Sequence, residues 1–76
     1  EVIEGNKPPK GSIVTVLEDV TTTGSSAIKA VNVLRSAGYT VNRVVTIVDR
    51  MENHKVWDNN ELEFISLFKL EDIVNE

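Results

Sequence analysis

The chain has 76 residues, with twelve acidic and eight basic side chains and a net charge of −4. A chain of this length forms at most one domain, and it buries only about 60% of its unfolded surface, so it is marginally stable alone. Because the sequence contains no cysteine, disulfides and zinc–thiolate sites are excluded. The acidic balance repels a nucleic-acid backbone, and the basic residues do not cluster, so we expect no nucleic-acid partner.

The sequence carries no sign of membrane insertion or export. No apolar run approaches the ~20 residues that a membrane span needs. No signal-like segment precedes the first apolar run. We therefore expect a cytoplasmic protein with no membrane partner.

Short apolar runs predict the strands. Before the first of them, the prolines and glycine of residues 6–11 indicate a loop, which leaves residues 2–4 as the end of a further strand. Residues 13–17 and 44–48 are rich in β-branched side chains and almost continuously apolar, as is typical of parallel strands covered on both faces. Residues 64–67 predict another short strand.

A helix is predicted over residues 25–37, followed by Gly38 as a left-handed C-cap. A short C-terminal helix is predicted from the apolar residues Leu70, Ile73 and Val74, with Lys69 at its start where a capping residue is usual. The side chains expected on the buried face of the first helix are Ala27, Ala30, Val31, Leu34 and Ala37, with Ile28 at its edge.

Strand, helix and strand together predict a βαβ unit with a right-handed crossover, and therefore an α/β fold. A single crossover helix covers only one face of the sheet, so we expect the other apolar face to be exposed to solvent and to promote self-association. Ligands of open α/β sheets bind beyond the carboxyl ends of the strands, where Glu18, Asp19 and Arg50 fall.

Residues 13–26, IVTVLEDVTTTGSS, combine acids with a hydroxyl-rich helix start. Carboxylates such as Glu18 and Asp19 accept hydrogen bonds from sugar hydroxyls and stabilise positive charge on a sugar ring. The amides and hydroxyls of residues 22–26 can cradle one phosphate. The single glycine excludes a dinucleotide fingerprint, and the missing Gly-Lys-Ser/Thr excludes a nucleotide P-loop. Alternatively, Thr23 or Ser25 simply caps the helix and the acids are solvated.

The run VTVLEDVTTTGSSAIKAVNVLRSAGYTVNRVVTIVDR, residues 14–50, resembles the phosphoribosyl pyrophosphate-binding motif of type I phosphoribosyltransferases. It is most similar to the orotate branch, because of the loop at residues 22–26, the strand ending in Val48-Asp49-Arg50, and Ser66-Leu67-Phe68 near the end of the chain. The resemblance covers about residues 3–74. It implies a partial type I, Rossmann-like α/β fold with a short parallel sheet.

The resemblance also implies a reaction, in which phosphoribosyl pyrophosphate and orotate give orotidine 5-phosphate and pyrophosphate in UMP biosynthesis. Glu18 and Asp19 are implied as catalytic, and Thr22 and Arg50 as orotate-binding. Magnesium is expected on the substrate pyrophosphate, with no protein metal site. The residues implied in binding phosphoribosyl pyrophosphate are Glu18, Asp19, Val20, Thr21, Thr22, Thr23, Gly24, Ser25 and Ser26.

The chain also departs from the family pattern. Thr21 replaces a usual aliphatic residue and brings a hydroxyl that needs a partner. Residues 51–60 replace a usually glycine-rich loop. Family members carry a hood, a pyrophosphate loop and a mobile basic loop upstream, which residues 1–12 do not supply.

Residues 1–76 are therefore expected to be a single domain or fragment, the C-terminal part of a longer enzyme, and inactive alone. Its expected macromolecular partner is the missing N-terminal part or another copy in a homo-oligomer. Two alternatives stay open: a non-catalytic phosphoribose-binding or regulatory module, and a scaffold fragment in which the loop is only a capped helix.

Four further side chains have plain structural interpretations. Arg50 could pair with Asp49 or Glu52 at the surface instead of reading a base. His54, the only histidine, is expected to be a loop residue rather than a metal ligand. Trp57 is expected to cover an edge of the core, and Lys7 and Lys10 to be solvated.

Overall fold

The computed structural model describes residues 9–69, which form one three-stranded sheet with two helices. All neighbouring strands are parallel and lie in the order β1-β2-β3, so the predicted α/β fold is confirmed. The predicted strand end at residues 2–4 and the predicted C-terminal helix lie outside the described residues. The elements are β1 Ile13–Thr21, α1 Ser25–Ser36, β2 Thr40–Asp49, α2 Lys55–Asn59 and β3 Glu63–Lys69.

Each strand is longer than its apolar run. β1 continues through Glu18 and Asp19 because its end still pairs with β2, at Val20 with Val48 and at Thr21 with Asp49. Polar side chains do not interrupt a ladder that the backbone makes. The two predicted catalytic acids therefore lie within the strand, and the loop begins only after Thr21.

The helix α1 ends at Ser36, one residue before the predicted end, so Ala37 is the C-cap and the left-handed Gly38 follows it instead of being the C-cap itself. Gly38 has a φ of 100°, and the amides of Gly38 and Tyr39 donate to the carbonyls of Arg35 and Leu34. This pair of bonds is a Schellman motif, which satisfies the last carbonyls of the helix. Ala27 and Val31 are buried as predicted, whereas Ala37 is exposed because it already serves as the C-cap.

Both helices cover the same face of the sheet. Val31 of α1 and Trp57 of α2 are buried in one core cluster with Val16 of β1 and Val44 of β2. Strand side chains alternate between faces, so the residues one step away belong to the other side. We call the side of the sheet away from the helices the open face. Four of its large apolar side chains are 46% to 70% exposed: Ile13, Leu17, Ile47 and Leu67. Within residues 9–69, the expected exposed apolar face is present.

The short helix α2 lies where the sequence predicts a loop. It forms around Trp57, which is 3% exposed and stacks on Phe64 with 4.4 Å between ring centroids. The predicted role of Trp57 at the edge of the core is confirmed. A buried aromatic stabilises this single turn by packing, which propensity alone does not provide. Neither helix in residues 9–69 is long and apolar enough to cross a membrane.

Candidate functional site

The predicted phosphate loop lines a small cleft at the carboxyl end of β1. Its volume is about 60 Å³, and it contains every residue predicted to bind phosphoribosyl pyrophosphate except Asp19. We call it the loop cleft. Its lining is Glu18, Val20, Thr21, Thr22, Thr23, Gly24, Ser25, Ser26 and Ala27.

The start of α1 lines the loop cleft and has no capping side chain. The N-cap residue is Gly24, with a φ of 86° and no capping side chain, so the alternative that Thr23 or Ser25 is the N-cap is wrong. Thr23 instead accepts a hydrogen bond from the amide of Ser25 at 3.3 Å and donates to its hydroxyl at 3.1 Å. A helix start without a side-chain cap presents its first-turn amides, and the positive end of its dipole, to an anion.

A tryptophan fixes the position of Gly24. A Cβ on Gly24 would lie 3.0 Å from Cη2 of Trp57 and 3.3 Å from Cγ1 of Val56. The loop therefore rests on α2, and glycine is required there both by its positive φ and by this close approach. Sequence reasoning missed this contact, because α2 has no periodic pattern long enough to be recognised.

The two predicted catalytic acids point in different directions. Glu18 lines the loop cleft and is partly buried. Asp19 is exposed, and it does not line that cleft, because successive side chains of a strand alternate between faces. The structure thus brings Glu18 to the phosphate loop, whereas Asp19 is not part of the loop cleft and its role stays a prediction.

A second and larger cleft brings the predicted orotate-binding residues together. It has a volume of about 430 Å³, within the usual range of small-molecule pockets, and is lined by Thr22, Thr23, Arg50, Glu52 and Asn53. We call it the arginine cleft. The amide of Arg50 donates to the carbonyl of Thr21 at 2.8 Å, which joins the ends of β1 and β2.

No residue of the described range 9–69 forms an ion pair with the side chain of Arg50. The predicted alternative of a surface pair with Asp49 or Glu52 is therefore wrong. Asp49 bonds instead to His54, whose Nε2 lies 2.8 Å from its Oδ2. The guanidinium is therefore available to a ligand in the arginine cleft.

His54 has a partner that the sequence did not predict. It lies in the segment between β2 and α2, as expected, but its ring is held by the buried carboxylate of Asp49. The two residues are five positions apart along the chain, and the turn after β2 brings them together. Within the described part of the chain, no three His, Asp or Glu side chains form a group that could hold a metal ion.

The sequence of this chain is similar to those of curated orotate phosphoribosyltransferases. No model of a known protein family matches the chain. The orotate phosphoribosyltransferase of Nostoc sp. is 46% identical over 72 residues, which are 93% of this chain and 35% of the relative. That of Thermosynechococcus vestitus is 65% identical over 48 residues, which are 63% of this chain and 25% of the relative. This chain is homologous to a segment of orotate phosphoribosyltransferases.

Solved structures support the same relationship at the level of the fold. The orotate phosphoribosyltransferase from Aeropyrum pernix superposes with a TM-score of 0.76 at 39% identity, over 83% of this chain and 36% of that one. Leishmania donovani UMP synthase superposes with a TM-score of 0.79 at 30% identity, over 87% of this chain and 15% of that one. The predicted type I phosphoribosyltransferase fold is confirmed. The chain spans 35% of the length of its Nostoc relative.

Proposed function

We propose that this orotate phosphoribosyltransferase segment carries the phosphoribose site and the base site of the transferase. The observation that carries the proposal is that the loop cleft and the arginine cleft share Thr22 and Thr23. A nucleotide joins a phosphate, a ribose and a base in that order. Two adjoining clefts, one built from helix-start amides and one containing an arginine, suit the two ends of such a molecule.

The loop cleft holds the 5-phosphate, at the hydroxyls and amides of residues 22–26. Glu18 accepts hydrogen bonds from the ribose hydroxyls at the same cleft, and Asp19, the next residue of β1, contributes a second carboxylate. Both carboxylates stabilise the positive charge that develops on the ribose when its bond to pyrophosphate weakens. N1 of orotate attacks C1 of the ribose as pyrophosphate leaves.

The arginine cleft holds the base. Orotate carries a carboxylate, and the planar guanidinium of Arg50 matches a carboxylate with two parallel hydrogen bonds. Thr22 lies in both clefts and orients the base relative to the ribose. A base without a carboxylate cannot form these hydrogen bonds with Arg50, so the cleft favours a base that carries a carboxylate.

Magnesium belongs to the proposal as part of the substrate. Bound to pyrophosphate, it neutralises the charge of the leaving group, and it prefers to keep several water ligands. Phosphoribosyl pyrophosphate and orotate are the proposed small-molecule partners, in UMP biosynthesis and in the cytoplasm. The remaining length of the enzyme, in the same chain or in another copy, supplies the groups that stabilise the leaving pyrophosphate, so this segment alone binds without measurable turnover.

Nuclear magnetic resonance titration of the 76-residue chain tests the proposal. We expect orotidine 5-phosphate and ribose 5-phosphate to shift the amides of residues 22–26 most, and only orotidine 5-phosphate to shift Arg50. A response centred on Lys10 would show charge attraction without a site. Binding at both clefts combined with absent turnover in the longest available protein would favour the non-catalytic module.

A further inference from the structure

Asp49 is a buried carboxylate at the end of β2. Its side chain is 5% exposed, and both of its oxygens are used. Oδ1 accepts a hydrogen bond from the amide of Met51 at 2.8 Å, and Oδ2 accepts one from Nε2 of His54 at 2.8 Å. Hydrogen bonds to a charged group are stronger than neutral ones, and a carboxylate that loses one while buried is costly.

These two bonds enclose Arg50. The residue before it supplies the carboxylate, the residue after it donates its amide, and His54 closes the turn three residues later. The amide of Arg50 itself is held by the carbonyl of Thr21. The backbone on both sides of the arginine is thereby fixed.

The pair also holds the rest of the arginine cleft. Glu52 and Asn53, which line it with Arg50, lie inside the turn that Asp49 and His54 close. The ring of His54 lies beside Phe64 of β3, with 5.7 Å between ring centroids, so the closure is anchored to the sheet. Loss of the bond between Asp49 and His54 would release the far end of the turn, whereas the amide of Arg50 would stay bonded to Thr21 and the loop cleft would still rest on Trp57.

We propose that Asp49 and His54 are positioning residues for base recognition. They touch no reacting atom. Together they hold Arg50 at the angle at which its guanidinium meets the carboxylate of the base. The inference rests on the proposed function, and it adds a specific claim. The selectivity for a base that carries a carboxylate depends on His54, which does not line the arginine cleft.

The test compares two nucleotides that differ in the base carboxylate. Orotidine 5-phosphate carries it and uridine 5-phosphate does not, while ribose and phosphate are the same. Their dissociation constants are measured by calorimetry for the full 76-residue chain and for His54→Ala, His54→Gln and the control Asn32→Ala. Asn32 is exposed on the outer side of α1. Amide spectra and the hydrogen exchange of Met51 report whether each variant stays folded and whether the turn opens.

We expect His54→Ala to weaken orotidine 5-phosphate by roughly tenfold to a hundredfold, because a misplaced binding group loses that much, and to leave uridine 5-phosphate unchanged. His54→Gln retains a donor and should recover part of the loss. Asn32→Ala should change neither. The amide of Met51 should exchange faster in His54→Ala than in the unaltered chain.

Three results would overturn the inference, and they are distinguishable. If the unaltered chain binds both nucleotides equally, the proposed base site is wrong and the positioning role fails with it. If the unaltered chain prefers orotidine 5-phosphate and His54→Ala keeps that preference, only the positioning role is wrong. If His54→Ala weakens both nucleotides equally, the pair serves the fold and not the base.

Discussion

The hydroxyl of Thr21 donates a hydrogen bond to the hydroxyl of Thr46 across 2.9 Å, between the neighbouring strands β1 and β2. Both side chains are buried, with 4% and 0% of their surfaces exposed. Thr46 in turn donates to the carbonyl of Val48 at 3.1 Å. The extra hydroxyl at position 21 thus has the partner that the sequence predicted it would need.

This pair predicts an asymmetry between two single substitutions. Thr46→Val leaves the hydroxyl of Thr21 buried without its partner, and should lower the free energy of unfolding by about 1–3 kcal/mol. Thr21→Val removes the donor while Thr46 keeps the carbonyl of Val48, and should cost only about 0.5–1.5 kcal/mol. Urea unfolding followed by circular dichroism measures both.

The double variant Thr21→Val, Thr46→Val completes the cycle. It should be more stable than Thr46→Val alone, because no orphaned hydroxyl remains. Strictly additive losses would show that the two hydroxyls do not depend on each other.

Gly24→Ala should destabilise the chain more than Gly11→Ala. Both glycines have a φ near 90°, at 86° and 89°, so both variants carry the cost of a left-handed backbone, about 1–2 kcal/mol. Only at Gly24 does a Cβ also meet Trp57, whereas nothing lies within 4 Å of one at Gly11. Overpacking adds about 1–3 kcal/mol. Thermal unfolding of the two variants gives the difference, and equal losses would mean that Trp57 moves aside freely.

Arg50→Ala should selectively weaken the use of orotate. In a longer protein that contains this segment, the loss of the hydrogen bonds to the base carboxylate raises the activation free energy for kcat/KM by about 1.5–3 kcal/mol. The KM for phosphoribosyl pyrophosphate should be unchanged. Arg43→Ala is the matched control, since Arg43 is an exposed arginine that pairs with Glu63. An equal loss for both substrates would assign Arg50 to the fold.

The open face should make the isolated chain associate and bind dyes that detect apolar surface. Leu17→Lys should reduce both effects, because Leu17 is 61% exposed within a group of apolar side chains. Val33→Lys is the control: Val33 is 63% exposed, but it lies on α1. Light scattering and dye fluorescence measure the result, and a dye-silent monomer before substitution would contradict the prediction.

The parts of the fold that were predictable follow from periodicity. The buried residues Ala27 and Val31 recur at helical spacing, and Gly38 marks the end of that helix. The end of β1 was not predictable from apolar runs, because backbone pairing at Thr21 continues past Glu18 and Asp19. The sequence shows where the apolar side chains end, but a strand ends where its backbone hydrogen bonds to the neighbouring strand end.

The candidate site also has a part that local sequence predicts and a part that it does not. Residues 22–26 adjoin in the sequence, so their cleft could be predicted, and the family resemblance suggested Arg50. The bond between Asp49 and His54 could not be predicted, because it depends on a turn whose conformation no local pattern indicates. The contact of Trp57 with Gly24 joins residues more than thirty positions apart, and only the folded chain brings them together.

Because of that contact, the fluorescence of Trp57 can report on the loop cleft. The chain has one tryptophan, so all indole emission comes from a single buried ring beneath the start of α1. Any ligand that tightens or displaces the loop at Gly24 changes the surroundings of that ring directly. Occupancy of the loop cleft can therefore be followed by intrinsic fluorescence in real time, without a label.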